Sequence, residues 1–139
     1  MATALTLKLG YIIPQAQGRP RLRADGNGVY SPKSDFYYAV FRAASMRRPA
    51  RPMDGPLAVK MSFIFPRPKS IPMNQIFKWT KADIDNLQAG VFNALTKARW
   101  WIDDGRVCHV VASKFYAPPG DSPGIHLTVE QAIDPAWQQ

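Results

Sequence analysis

The stretch Leu57–Phe65, LAVKMSFIF, constrains the fold more than any other. Leu57, Val59, Met61, Phe63 and Phe65 alternate with Ala58, Lys60, Ser62 and Ile64. Strand side chains point to opposite faces with a period of two, so this segment is a strand with one apolar face. Such a face needs a covering layer. Two helical patterns supply it. In SDFYYAVFRAASMRR, Phe36, Val40 and Ala44 recur at i, i+4 and i+8, with Tyr37 and Phe41 beside them. Ser34 is placed to cap this helix, and Arg47 and Arg48 to meet the negative end of its dipole. After Asp85, Leu87, Val91 and Leu95 form a second stripe, widened by Phe92 and Ala94. Asn86 opens that helix in this reading, and its end falls between Lys97 and Arg99.

Three more segments alternate as strands: LTLKLGY near the start, RVCHVVASKFYA, and GIHLTVEQA near the end. The order strand, helix, strand, helix, strand, strand predicts one α+β domain over residues 1–139, with a small mixed sheet and two main helices. Two long loops interrupt it. PQAQGRPRLRADGNGVYSP is rich in Pro, Gly and Arg and has a hairpin signal at DGNG. PRPKSIPMNQIFKWTK carries Arg67, Lys69, Lys78 and Lys81, no acid, and the aromatic residues Phe77 and Trp79. No regular structure is expected in it, and long irregular loops often serve function.

Charge is unevenly spread. Residues 1–81 hold 14 of the 18 Lys/Arg and 3 of the 10 acidic residues; residues 82–139 hold 4 and 7. A basic surface beside a compact acidic site suits a polyanion that is held and then acted on, and nucleic acid is the expected partner. The single cysteine, Cys108, excludes an intramolecular disulfide and a cysteine-based zinc cluster, and it suits a reducing compartment. MATALTLKLGYIIP has no long apolar core and does not read as a secretion signal. The apolar runs are too short to span a bilayer, so no membrane partner is expected.

The acidic residues gather in two motifs, TKADIDNLQAG and WWIDDGRV. In extended chain Asp83 and Asp85 point to one side while Ile84 turns to the core. A helix cap explains one of them. Two on one face repel each other unless a cation is present. Asp103 and Asp104 precede a strand, and an Asp104–Gly105 turn accounts for one of that pair. If the following strand runs back along the helix, Asp83, Asp85 and one of Asp103/Asp104 meet as an all-oxygen site. Such a site prefers Mg²⁺ or Mn²⁺, and Mg²⁺ beside a phosphodiester polarises the phosphoryl oxygen and generates hydroxide. His109, His126 and Cys108 lie within strands and read as structural. No Gly-rich phosphate loop or Cys/His metal spacing is present.

DIDNL, an apolar helix ending NALT, and WIDDGRV together resemble the RusA family of Holliday-junction resolvases. Asp104 falls 19 positions after Asp85, as in that family's pattern. GRPRLR and VYSPKSDFYYAV resemble its upstream elements, and the likeness covers roughly residues 5–130. The resemblance implies a homodimeric, Mg²⁺-dependent endonuclease, cytoplasmic and bacterial or phage-encoded, that nicks four-way DNA junctions symmetrically in recombination and repair. By motif, Asp83, Asp85 and Asp104 are metal ligands and catalytic residues, and Asp103 matches the first acid of the turn. Arg19 and Arg21 match the basic element that contacts phosphate. Arg23, Lys69, Lys78 and Lys81 extend it along the two basic loops. Two positions depart from the family. Ala89 stands where a lysine is usual, one turn after Asp85, and Gln17 replaces a lysine before Gly18. The alternative implied is a protein that binds junctions and cuts them weakly or not at all.

Overall fold

The structure is a computed structural model that describes residues 4–18, 20–30 and 32–132. Its elements, in chain order, are β1 (Leu5–Gly10), β2 (Arg21–Leu22), β3 (Val29–Tyr30), α1 (Asp35–Met46), β4 (Leu57–Phe65), α2 (Ile84–Lys97), a 3₁₀ turn at Asp104–Arg106, β5 (Val107–Tyr116) and β6 (Gly124–Gln131). The expected α+β domain with a mixed sheet and two helices is what is seen. The main sheet has the order β1-β6-β4-β5; β4 and β5 run parallel and the other pairs antiparallel. The hairpin expected at DGNG is the small sheet β2-β3, closed by Arg23 N–H donating to Gly28 O at 3.0 Å. Among the described residues no helix is long and apolar enough to cross a membrane.

The alternation in β4 becomes the core. Leu57, Val59, Met61, Phe63 and Phe65 are all buried, and across the register they meet Ile125, Leu127 and Val129 of β6. The helices cover this face. Phe36 of α1 packs on Phe63, ring centroids 6.3 Å apart. Ser34 caps α1 by accepting from Tyr37 N–H at 3.1 Å, and Phe36, Tyr37, Val40 and Ala44 are buried as expected. On α2, Leu87, Val91, Ala94 and Leu95 are buried. The opposite face of the sheet carries Thr6, Lys8, Lys60 and His126 and meets solvent, as antiparallel sheets allow.

Parallel β4 and β5 need a crossover, and α2 provides it. The chain leaves β4 at Phe65, starts α2 at that end of the sheet, and returns to the opposite end to begin β5 at Val107. Trp100 and Trp101, just after α2, are fully buried there. Met53 fixes the turn: its N–H donates to Trp100 O at 2.8 Å and its carbonyl accepts from Ile102 N–H at 3.1 Å.

Gly124 lets β6 lie against β1. A Cβ on it would stand 2.0 Å from the Leu9 carbonyl oxygen and 3.0 Å from Gly10 Cα. Both obstacles are backbone, so the strands would have to part. Gly124→Ala is expected to destabilise the fold by about 3 kcal/mol, read as a lower urea midpoint with an unchanged m-value; an unchanged midpoint would show that β1 yields freely.

Candidate active site and nucleic-acid interface

Asp83 is the N-cap residue of α2, with extended backbone. Its carbonyl accepts from Leu87 N–H at 3.1 Å, but its carboxylate makes no capping bond. The capping role that a sequence reading offers is therefore left unused. Asp85 lies in the first helical turn, its Oδ1 accepting from Asn86 N–H at 3.0 Å. Both carboxylates are exposed at the positive end of the helix dipole. Two details differ from the expectation. The helix opens at Ile84 rather than Asn86, and Ile84 is 36% exposed rather than turned into the core. An extended chain would place both acids on one side; here Asp83 is the extended N-cap and Asp85 already stands in the first helical turn.

In the second motif the two acids divide. Asp103 caps the 3₁₀ turn: Oδ1 accepts from Gly105 N–H at 2.8 Å, while Oδ2 lies 3.5 Å from Arg106 Nη1. Arg106 also donates from Nε to Asp54 Oδ1 at 2.6 Å. The bond from Arg106, reinforced by Gly55 N–H, holds the Asp54 carboxyl below its usual range. Asp103 thus serves the turn that sequence reading gave to Asp104. Asp104 itself is exposed, with no hydrogen bond or ion pair from its carboxylate among the described residues. Asp54 went unnoticed in the sequence because RPMDGP reads only as a helix breaker.

One chain does not bring the three acids together. β5 does run back along α2, but the turn that carries Asp104 stays beside the end of the helix. α2 has 14 residues, roughly 21 Å at 1.5 Å each. The start of α2 lies against Lys114, whose Nζ donates to Thr80 O and Ala82 O. Asp104 lies before Val107, and the seven steps from Val107 to Lys114 span roughly 23 Å of strand. Consistently, no three His, Cys, Asp or Glu side chains among the described residues could hold one metal ion. The donor set of a single chain does not fit the expected Mg²⁺ or Mn²⁺. The condition for Asp83, Asp85 and Asp103 or Asp104 to meet is not fulfilled within one chain among the described residues, because the crossover puts a helix length between the two motifs.

The loop 66–81 leads into the Asp83 end, whereas the β2-β3 hairpin follows Gln17, which sits beside Gly90 and Asn93 farther along α2. Arg21 and Arg23 stand on the β2-β3 hairpin, where every described residue from Pro20 to Tyr30 is exposed. The Arg23 guanidinium lies over the Tyr30 ring, 5.7 Å from its centroid. Arg19 lies outside the described residues. Gln17 sits against α2, its Oε1 accepting from Asn93 Nδ2 at 3.0 Å and from Lys33 Nζ at 2.6 Å. An ammonium therefore stands at this spot although position 17 carries none.

The loop 66–81 is more ordered than expected. Lys78 N–H donates to Lys114 O at 3.0 Å and Tyr116 N–H to Ile76 O at 2.9 Å, so residues 76–78 extend the sheet at the β5 edge. Arg67 ties the loop down, donating to Ala117 O at 2.9 Å and Pro72 O at 2.7 Å. Lys69 and Lys81 are exposed. Lys78 is half-buried: its ammonium bonds the Thr80 hydroxyl and lies 5.2 Å from the Phe65 ring centroid. Phe77 and Trp79 do not fill the core, as aromatic residues usually do: they are 59% and 75% exposed, and Phe77 rests only its inner side on Phe115, centroids 5.2 Å apart. Exposed aromatic rings among lysines make a surface suited to nucleic-acid bases and phosphates.

The family model for the endodeoxyribonuclease RusA matches residues 12–130. The chain belongs to the RusA endodeoxyribonuclease family. Its relatives include an uncharacterized protein, YqaN, of Bacillus subtilis (strain 168), 30% identical over 132 residues that cover 85% of this chain and 90% of that protein. RusA membership carries nuclease chemistry on Holliday junctions as the general activity of the family. The residues matched contain both acidic motifs, the hairpin and the aromatic loop.

Proposed function

We propose that this RusA-family chain is a structure-specific endonuclease that acts on four-way DNA junctions as a homodimer, with Asp83 and Asp85 of one chain and Asp104 of the other completing each site. The observation that carries this reading is the division of the acids. Three exposed carboxylates lie at opposite ends of α2, and neither Asp83 nor Asp104 is consumed by the fold. A two-fold pair sets the same patch against itself, so the end of α2 in one copy can face the start of α2 in the other twice over. Two such sites suit the two cuts of a symmetric junction.

Mg²⁺, with Mn²⁺ as a substitute, is assigned to the combined clusters, because neither cluster alone offers three carboxylates. The surrounding residues bind and orient. Arg21, Arg23, Lys69 and Lys81 hold phosphates without reading sequence, and Lys78 holds the loop. Phe77 and Trp79 stack on bases where the junction is open. Binding without efficient cutting is the second reading. It is favoured by Ala89, which is exposed one turn after Asp85 and brings no charge.

A labelled synthetic four-way junction incubated with the protein and Mg²⁺ tests both. Paired nicks that vanish in Asp83→Asn support the endonuclease; tight binding without nicks in Mg²⁺ or Mn²⁺ supports the second reading. The phosphate contacts have their own signature. Lys81→Ala or Arg23→Ala should weaken junction and duplex binding alike and lower the log–log salt slope by about 0.9 each. A loss confined to one sequence would mean base readout instead.

A further inference from the structure

Lys114 sits where β5 passes the start of α2. Its Nζ donates to the Thr80 carbonyl at 2.6 Å and to the Ala82 carbonyl at 2.7 Å. Its own carbonyl accepts from Lys78 N–H at 3.0 Å. One residue therefore holds the segment 78–82 at three points, and Asp83 follows directly. The side chain is half-buried. Burial lowers its proton affinity, the ammonium of Lys78 lowers it further, and the carboxylate of Asp83 opposes both.

In extended chain the carbonyl oxygens of residues two apart stand roughly 7 Å from each other, too far for one ammonium to lie 2.6 and 2.7 Å from both, so the backbone between Thr80 and Ala82 is bent toward Lys114. Nothing else in that segment is buried deeply: Lys81, Asp83 and Ile84 are exposed and Ala82 only half-buried. Hydrophobic packing therefore does little to fix where the acidic motif points. A charged donor does it instead, and hydrogen bonds from a charged donor are about twice as strong as neutral ones.

We propose that Lys114 is a positioning residue: by clamping the Thr80 and Ala82 carbonyls it aims the carboxylates of Asp83 and Asp85. This rests on the reading of those acids as catalytic. Lys114 lies 29 residues beyond Asp85 in the sequence, near the end of an alternating strand, where nothing marks it.

The test uses Lys114→Met, which keeps the stem and loses the donors, and Lys114→Arg, which can still reach both carbonyls. Residue-resolved amide hydrogen exchange reads the clamp without reference to activity. In Lys114→Met, exchange at residues 79–87 should rise by about 10-fold or more while the sheet stays as protected as before. Single-turnover junction nicking should fall about 100-fold with binding held within about 3-fold, the scale of a small misplacement of reacting groups. Lys114→Arg should recover most of both. Unchanged exchange at 79–87 overturns the proposal, as does loosening of the whole sheet, a failure to fold, or nicking that survives local loosening. If the native protein itself makes no nicks, the endonuclease reading fails, and the exchange measurement still decides whether Lys114 holds the motif.

Discussion

Mixing Asp83→Asn with Asp104→Asn should restore junction nicking that neither variant shows alone. In the proposed homodimer, each single variant removes a charged group from every site. A loss of about 10²–10³-fold is expected for either, the scale measured when one preorganised electrostatic group is deleted. In a mixed pair, one site combines both substitutions and the other combines neither. Random exchange of equal amounts makes about half the pairs mixed, each with one intact site, so about a quarter of native nicking should return. The product should also change. A single intact site cuts one strand, so nicked junctions should accumulate in place of resolved duplexes. If each chain built its own site, the mixture would stay inactive. The outcome separates a shared site from an internal one without any structure of the pair. Asp103→Asn serves as the contrast. Asp103 is already occupied by Gly105 N–H and Arg106, so its loss should loosen the turn and reduce nicking less than the loss of Asp104.

Trp100→Ala is expected to have the largest effect on stability. Trp100 is fully buried at the end of α2, and its Nε1 donates to the Ala44 carbonyl in the last turn of α1 at 2.7 Å. It joins the two helices where both finish. Truncation removes the indole, leaves a large cavity and loses that bond, a cost of about 4 kcal/mol. A domain of this size is stable by about 5–15 kcal/mol, so the variant should melt roughly 10–20 °C lower. Trp100→Phe isolates the hydrogen bond from most of the packing. Ala44 O also accepts from Arg47 N–H at 3.1 Å, so it is not orphaned, and the polar part of the cost should stay near 1 kcal/mol. Calorimetry that found the two variants equal would assign Trp100 a polar role rather than a packing one.

The legibility of this chain follows the range of the forces involved. Ser34 was readable as a cap because its partner, Tyr37 N–H, lies three residues away. The β4 face was readable because its alternation is repeated five times. Trp100 and Trp101 were not placed in the core beforehand, since two adjacent aromatics fit no single period. The order in the loop 66–81 was also hidden. Its anchors, Lys114 O and Ala117 O, lie 36 and 50 residues away from Lys78 and Arg67. Ile84 misled for a related reason: an apolar residue between two acids looks like an anchor, but at the first helical position it faces solvent.

The sequence alone determined the family, the α+β class and the two helices with their buried stripes, and it set two acidic motifs apart from the rest of the chain. These depend on residue type, short spacing and periodicity, all of which are local. The tertiary structure decided how those acids are arranged. A parallel pair of strands joined by a helix must start and finish that helix at opposite ends of the sheet, so two motifs 19 positions apart end about 20 Å apart. The same folding brought Lys114 to the Asp83 motif, Arg106 to Asp54 and Lys33 to Gln17, pairings set by strand register and helix packing rather than by spacing along the chain.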